Sequence, residues 1–141
     1  MGGNSTITAM DPYPEEFPDI KALGVLNVIS GRTFIEKGAE LAKMDPAERL
    51  DVRIRELTGF RLDEEMPRPH AHAVTVPTFM AQLKRDFLIH AEQDGQEIFD
   101  ALGADDKELF WIEDSNQRFH AYNYFGDHPE ELIAWFDAHM K

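Results

Sequence analysis

Two apolar runs separated by a single helical segment constrain this chain more than any other feature. Val76-Pro77-Thr78-Phe79-Met80-Ala81-Gln82-Leu83 leads into Asp86. Leu109-Phe110-Trp111-Ile112, part of a strand expected over Lys107 to Ile112, leads into His120. Residues 90–102 between them have helical spacing, with Ile98, Phe99 and Leu102 turned inward and Gly103 as the C-terminal cap. A strand–helix–strand unit of this size is parallel and right-handed, because a twisted strand feeding a helix packs back onto its own sheet only that way. Both strands then end on one edge, where open α/β sheets place their sites. The pattern brings a carboxylate and an imidazole to a single crevice.

The rest of the chain fits around that unit. Residues 3–10 read as a short helix ended by Asp11-Pro12-Tyr13-Pro14. Ile20 to Ile29 is a mostly continuous apolar run, which suits a strand covered on both faces. After Ser30-Gly31, the residues Phe34, Ile35, Leu41 and Ala42 recur at helical spacing. Asp45-Pro46-Ala47-Glu48 reads as a capping box opening a second helix with Leu50, Ile54 and Leu57 on one face. Phe60 to Ala73 is charged and proline-bearing, and reads as a connecting excursion. Pro129-Glu130-Glu131 opens a final helix carrying Leu132, Ile133, Phe136 and Met140. The expected fold is α/β, a small parallel sheet flanked by helices, in one domain over residues 1–141. Nothing before Ile20 supplies a neighbouring strand, so one sheet edge stays open and invites pairing with a second copy.

Bulk chemistry narrows the partners. The 141 residues are 43% hydrophobic, enough for one real core. Formal net charge is −13, with no basic cluster, so nucleic acid and anionic membrane surfaces are not expected partners. The absence of cysteine excludes disulfides and thiolate chemistry within these residues, and fits a reducing cytoplasm. Met1-Gly2-Gly3-Asn4-Ser5-Thr6 has neither the basic cap nor the apolar core of a signal peptide, and no apolar run reaches the length of a membrane span.

This order and spacing resemble the C-terminal half of an α/β-hydrolase, the part built on its sixth, seventh and eighth strands. Val76-Pro77-Thr78 is similar to the opening of the seventh strand, with Asp86 at the position of the acid. His120 falls where the family places its histidine, after the eighth strand and before the last helix. Met1-Gly2-Gly3 followed by a short helix is similar to the positions just after a nucleophile elbow. The resemblance therefore implies a nucleophile one residue before Met1, and five earlier strands outside this sequence. Lys84-Arg85 before the acid and Ala121 after the histidine depart from the family pattern, which favours glycine there.

The resemblance makes Asp86 and His120 the candidate catalytic residues. The histidine would act as general base and then general acid, while the carboxylate fixes its tautomer and stabilises the imidazolium. The competing reading makes Asp86 a turn or cap residue, and His120 a loop imidazole among Phe119, Tyr122, Tyr124 and Phe125. Ser5 and Ser30 both lack the Gly-x-Ser-x-Gly setting, and Ser30 suits a helix cap. His70-Ala71-His72 has the spacing of a chelate on extended backbone, but no carboxylate pair stands near it in the sequence, so no metal is expected. His90, His128 and His139 read as surface or helix-end residues, and the aromatic residues from Phe110 to Phe136 first as core. No cofactor is implied. The expectation is a protein of ester, thioester or amide hydrolase lineage, truncated, without its nucleophile, and inactive as it stands. The parent enzyme would take a small ester-type substrate. The alternative is a non-catalytic module that forms homo-oligomers through its sheet edge.

Overall fold

The computed structural model describes residues 2–43, 47–62, 64 and 66–140. The capping box expected at Asp45 to Glu48 rests on residues outside that set. Three strands form one parallel sheet in the order β1-β2-β3: Leu23–Leu26, Thr78–Leu83 and Lys107–Ile112. Register runs Leu23 opposite Thr78 and Leu26 opposite Ala81, then Thr78 opposite Lys107 and Leu83 opposite Ile112.

β2 is central, and all six of its residues are buried. Successive side chains point to opposite faces, so the strand feeds two cores at once. Met80 joins Ile7, Met10, Val25, Val28, Ala71, Val74, Ile98 and Leu102 on one face. That face is covered by α1 (Gly2–Met10), by the short α4 (Pro67–His70) and by α5 (Glu97–Ala101). Phe79, Ala81 and Leu83 join Ile112, Ala121, Phe125 and Trp135 on the other, beneath α6 (Arg118–Asp127) and α7 (Glu130–His139). Phe79 sits at the centre of this aromatic core, 5.7 Å from Phe125 edge-on and 6.0 Å from Trp135. The helices α2 (Gly31–Ala42) and α3 (Ala47–Thr58) form the excursion between β1 and α4.

The sequence expectations need correction at four places. The first strand is four residues rather than ten, although it does stand at a sheet edge as expected. Asn27 ends it by taking φ 48°, a left-handed conformation outside the extended region. Phe60 to Ala73 is not wholly a loop: Pro67 starts α4, where a missing amide N–H has no cost, and a 3₁₀ turn follows over Ala71–Ala73. The helix expected over residues 90–102 opens as a π-helical turn, Ala91–Gln96, before α5. The segment around His120 is helical, as α6, rather than a loop.

Candidate active site

Parallel pairing of β2 and β3 carries the segments after Leu83 and Ile112 to the same edge of the sheet. Asp86 lies three residues beyond β2, and His120 is the third residue of α6, which follows β3. Both line one open cavity of about 890 Å³, together with Arg85, Phe87, Asp114, Ser115, Asn116 and Gln117. A Cβ built at Gly3, near the start of α1, would sit 3.0 Å from the Val28 side chain just past the end of β1. The beginning of α1 therefore opens on this edge too.

Within the cavity wall the acid has a partner that the sequence reading missed. Arg118 Nη1 donates to Asp86 Oδ2 at 2.9 Å, and the Asp86 side chain is wholly buried. Arg118 Nη2 donates to the carbonyl oxygen of Asn27 and to the Tyr122 hydroxyl, each at 2.8 Å. The other carboxylate oxygen, Asp86 Oδ1, accepts from the backbone N–H of Leu88 at 2.7 Å, an aspartate turn bond. Among the described residues no hydrogen bond joins Asp86 to His120, whose side chain stands exposed at the cavity. A second cavity of about 310 Å³ begins on the other side of His120, lined also by Asp114, Asp127 and His128.

The strand ends are held in place by buried polar groups. Asn27 Oδ1 accepts from Leu83 N–H at 2.9 Å, and Asn27 N–H donates to Ala81 at 2.8 Å, so this one residue extends the ladder past β1. Asp94, in the π-helical turn, accepts from Ser30 N–H and Thr33 Oγ1 at one oxygen and from His90 N–H at the other. Three donors satisfy a carboxylate that is 1% exposed, which is what a buried anion without a cation requires. Ser30 is the N-cap of α2, as its position suggested, accepting from Thr33 N–H at 3.0 Å. Asn27 Nδ2 and Gln82 Oε1 are buried at this same edge without a hydrogen-bond partner.

Other titratable groups take local roles. His70 Nδ1 meets Asp11 Oδ2 at 2.8 Å, and His72 Nε2 lies 3.7 Å from Asp11 Oδ1. Among the described residues no group of three or more histidine, cysteine, aspartate or glutamate side chains is placed to hold a metal ion. His139 closes α7, with Nε2 2.9 Å from Asp106 Oδ2 and Nδ1 2.7 Å from the Trp135 carbonyl oxygen. The hydrogen bond to Asp106, then that to Trp135, raises its pKa above the ordinary imidazole value. The Tyr124 hydroxyl is also raised, first by desolvation and then by the charges of Asp114, Glu131 and Glu130.

Two solved structures share this arrangement of strands and helices. The monoacylglycerol lipase of Paleococcus ferrophilus aligns with a TM-score of 0.58 at 13% identity, over 97% of this chain and 65% of that one. A structure from work on LipS and LipT, two metagenome-derived lipolytic enzymes, aligns with a TM-score of 0.58 at 15% identity, over 97% of this chain and 62% of that one. The likeness is one of fold: a parallel sheet flanked by helices, as in these α/β-hydrolases. The chain spans less than two thirds of the length of either structure. No protein-family model matches the sequence, and no curated protein matches it. Among the described residues no helix is long and apolar enough to cross a membrane.

Proposed function

We propose that this α/β-hydrolase-like chain carries the acid and base positions of a hydrolase acting on ester, thioester or amide bonds, with Asp86 as the acid and His120 as the base. The observation that carries this reading is the shared cavity of Asp86 and His120, at the edge where parallel β2 and β3 both end. The lipase and lipolytic enzymes with the same fold support the ester end of that range. An imidazole facing an open cavity is positioned to take a proton from a hydroxyl or thiol and return it to a leaving group. Ser30 is buried and serves as a cap, Ser5 lies within α1, and Ser115 lines the cavity with His120 while its Oγ accepts from the Gln117 N–H; none of the three has the Gly-x-Ser-x-Gly setting of a nucleophile elbow. The 141-residue chain alone is therefore expected to hydrolyse short nitrophenyl esters and thioesters no faster than buffer. Turnover abolished by His120→Ala contradicts the reading that this chain lacks a nucleophile. An in-frame Gly-x-Ser or Gly-x-Cys directly upstream of Met1, preceded by strand patterns, supports a complete hydrolase.

A second reading rests on β1, which among the described residues pairs with β2 on one side only. An open strand edge, together with the exposed Phe34 and Leu41 of α2, favours self-association. Light scattering on a size-exclusion column is expected to give a dimer or larger species. A clean monomer at high concentration counts against this second reading.

A further inference from the structure

The first turn of α6 carries both Arg118, which holds the Asp86 carboxylate, and His120, which lines the same cavity as Asp86. A helix turns about 100° per residue, so Arg118 and His120, two positions apart, point to nearly opposite sides. Arg118 points inward with Ala121 and Phe125, three and seven residues on, both buried. The same register turns His120 outward, while Arg118 and the Leu88 amide occupy both oxygens of Asp86. His120 therefore cannot replace Arg118 on Asp86 unless the first turn of α6 opens. Arg118 itself is the main tie on that turn: Gln117, at the N-cap, makes no side-chain hydrogen bond to it, and Phe119 within it is 79% exposed.

We propose that Arg118 is an inhibitory stand-in for His120, masking the acid in the resting fold, with the first turn of α6 as the element that must open before Asp86 and His120 pair. The inference rests on the reading of Asp86 and His120 as acid and base, and adds a regulation of that site. Arg118 makes the masking specific, because its fork ties Asp86 to the end of β1 through Asn27 and to Tyr122 one turn along α6. A single-point cation does not reproduce all three bonds.

The test follows the His120 ring proton by NMR against pH in four proteins: wild type, Asp86→Asn, Arg118→Gln and the double variant. Arg85, Asp114, Asp127 and His128 also line the cavities beside His120 and are the same in all four, so differences report the pair. Masking predicts that Asp86→Asn alone leaves the midpoint where wild type has it, while Arg118→Gln raises it as the freed carboxylate acts on the ring. The double variant returns to the wild-type midpoint. A drop of about a unit or more in Asp86→Asn shows that the two already pair and overturns the proposal. So does a midpoint that fails to rise in Arg118→Gln, or a rise that persists in the double variant and so belongs to loss of the arginine charge. If Arg118→Gln fails to fold, Arg118→Lys is read in the same way, with a smaller rise expected and no rise overturning the proposal. Turnover plays no part in these readouts, so a failure of the hydrolase reading is recorded separately by the ester assay.

Discussion

Arg118 and Asp86, 32 residues apart in the chain, form a buried ion pair at 2.9 Å that fastens α6 to the loop after β2. Removing one partner strands the other charge away from water, so the loss exceeds the worth of the bond itself. Asp86→Ala is expected to cost about 3–5 kcal/mol in urea unfolding. Asp86→Ala and Arg118→Met together are expected to cost clearly less than the sum of the two singles. Additive losses would show that the pair does not act as a unit.

Asn27 carries two separable tasks, a left-handed backbone and a bond to Leu83. Asn27→Gly tolerates the backbone and loses only the bond, so about 1–2 kcal/mol of stability should go. Asn27→Ala loses the bond and keeps the Cβ strain that glycine relieves, so it should be roughly 1 kcal/mol worse than the glycine variant. Equal losses in denaturant titrations would remove the strain from this account.

Two glycines are expected to respond in opposite directions. A Cβ at Gly103 would fall 2.1 Å from the His72 carbonyl oxygen, a backbone atom that moves only with its chain. Gly103→Ala should therefore destabilise by about 1–3 kcal/mol. Gly38 lies in α2 with nothing within 4 Å of its Cβ position, and Gly38→Ala should stabilise by about 0.5–1 kcal/mol. Thermal unfolding of the two variants checks both signs.

The His139 contact with Asp106 predicts a pH dependence of known sign. Its folded pKa is raised above the unfolded value, so the protonated ring stabilises the fold below about pH 6.5, the ordinary imidazole value. That contribution fades as pH rises through the higher folded value. Wild-type stability measured from pH 5 to 8 should carry a downward component that His139→Gln lacks. Identical slopes in the two proteins would contradict it.

Much of this fold was legible in the sequence. The β2–α5–β3 unit was readable because Thr78 to Leu83 and Leu109 to Ile112 are mostly apolar runs, and their connection fixes a parallel hand. Asp86 and His120 were readable only as positions, from a family's spacing. Arg118 was not readable as the partner of Asp86, because a buried ion pair between distant residues leaves no periodic mark. α6 hid for a related reason: its inward face mixes Arg118 with Ala121 and Phe125, while Phe119 faces solvent, so the apolar stripe that reveals a helix is blurred. The spacing of Arg118, Ala121 and Phe125 was the available signal. Asp94 carries no mark in the sequence, because only the tertiary placement of Ser30 and Thr33 explains its burial.

The central claim is that the loops after β2 and β3 meet at one edge and build one site. The chain has no cysteine, so a pair can be introduced without background reaction. Phe87→Cys with Gln117→Cys places one thiol on each loop, at exposed residues lining the same cavity. A short bismaleimide is predicted to join them within a single chain at high yield, at protein concentrations low enough to suppress links between copies. If only intermolecular products form, the two loops do not share an edge and the proposed acid–base site does not exist.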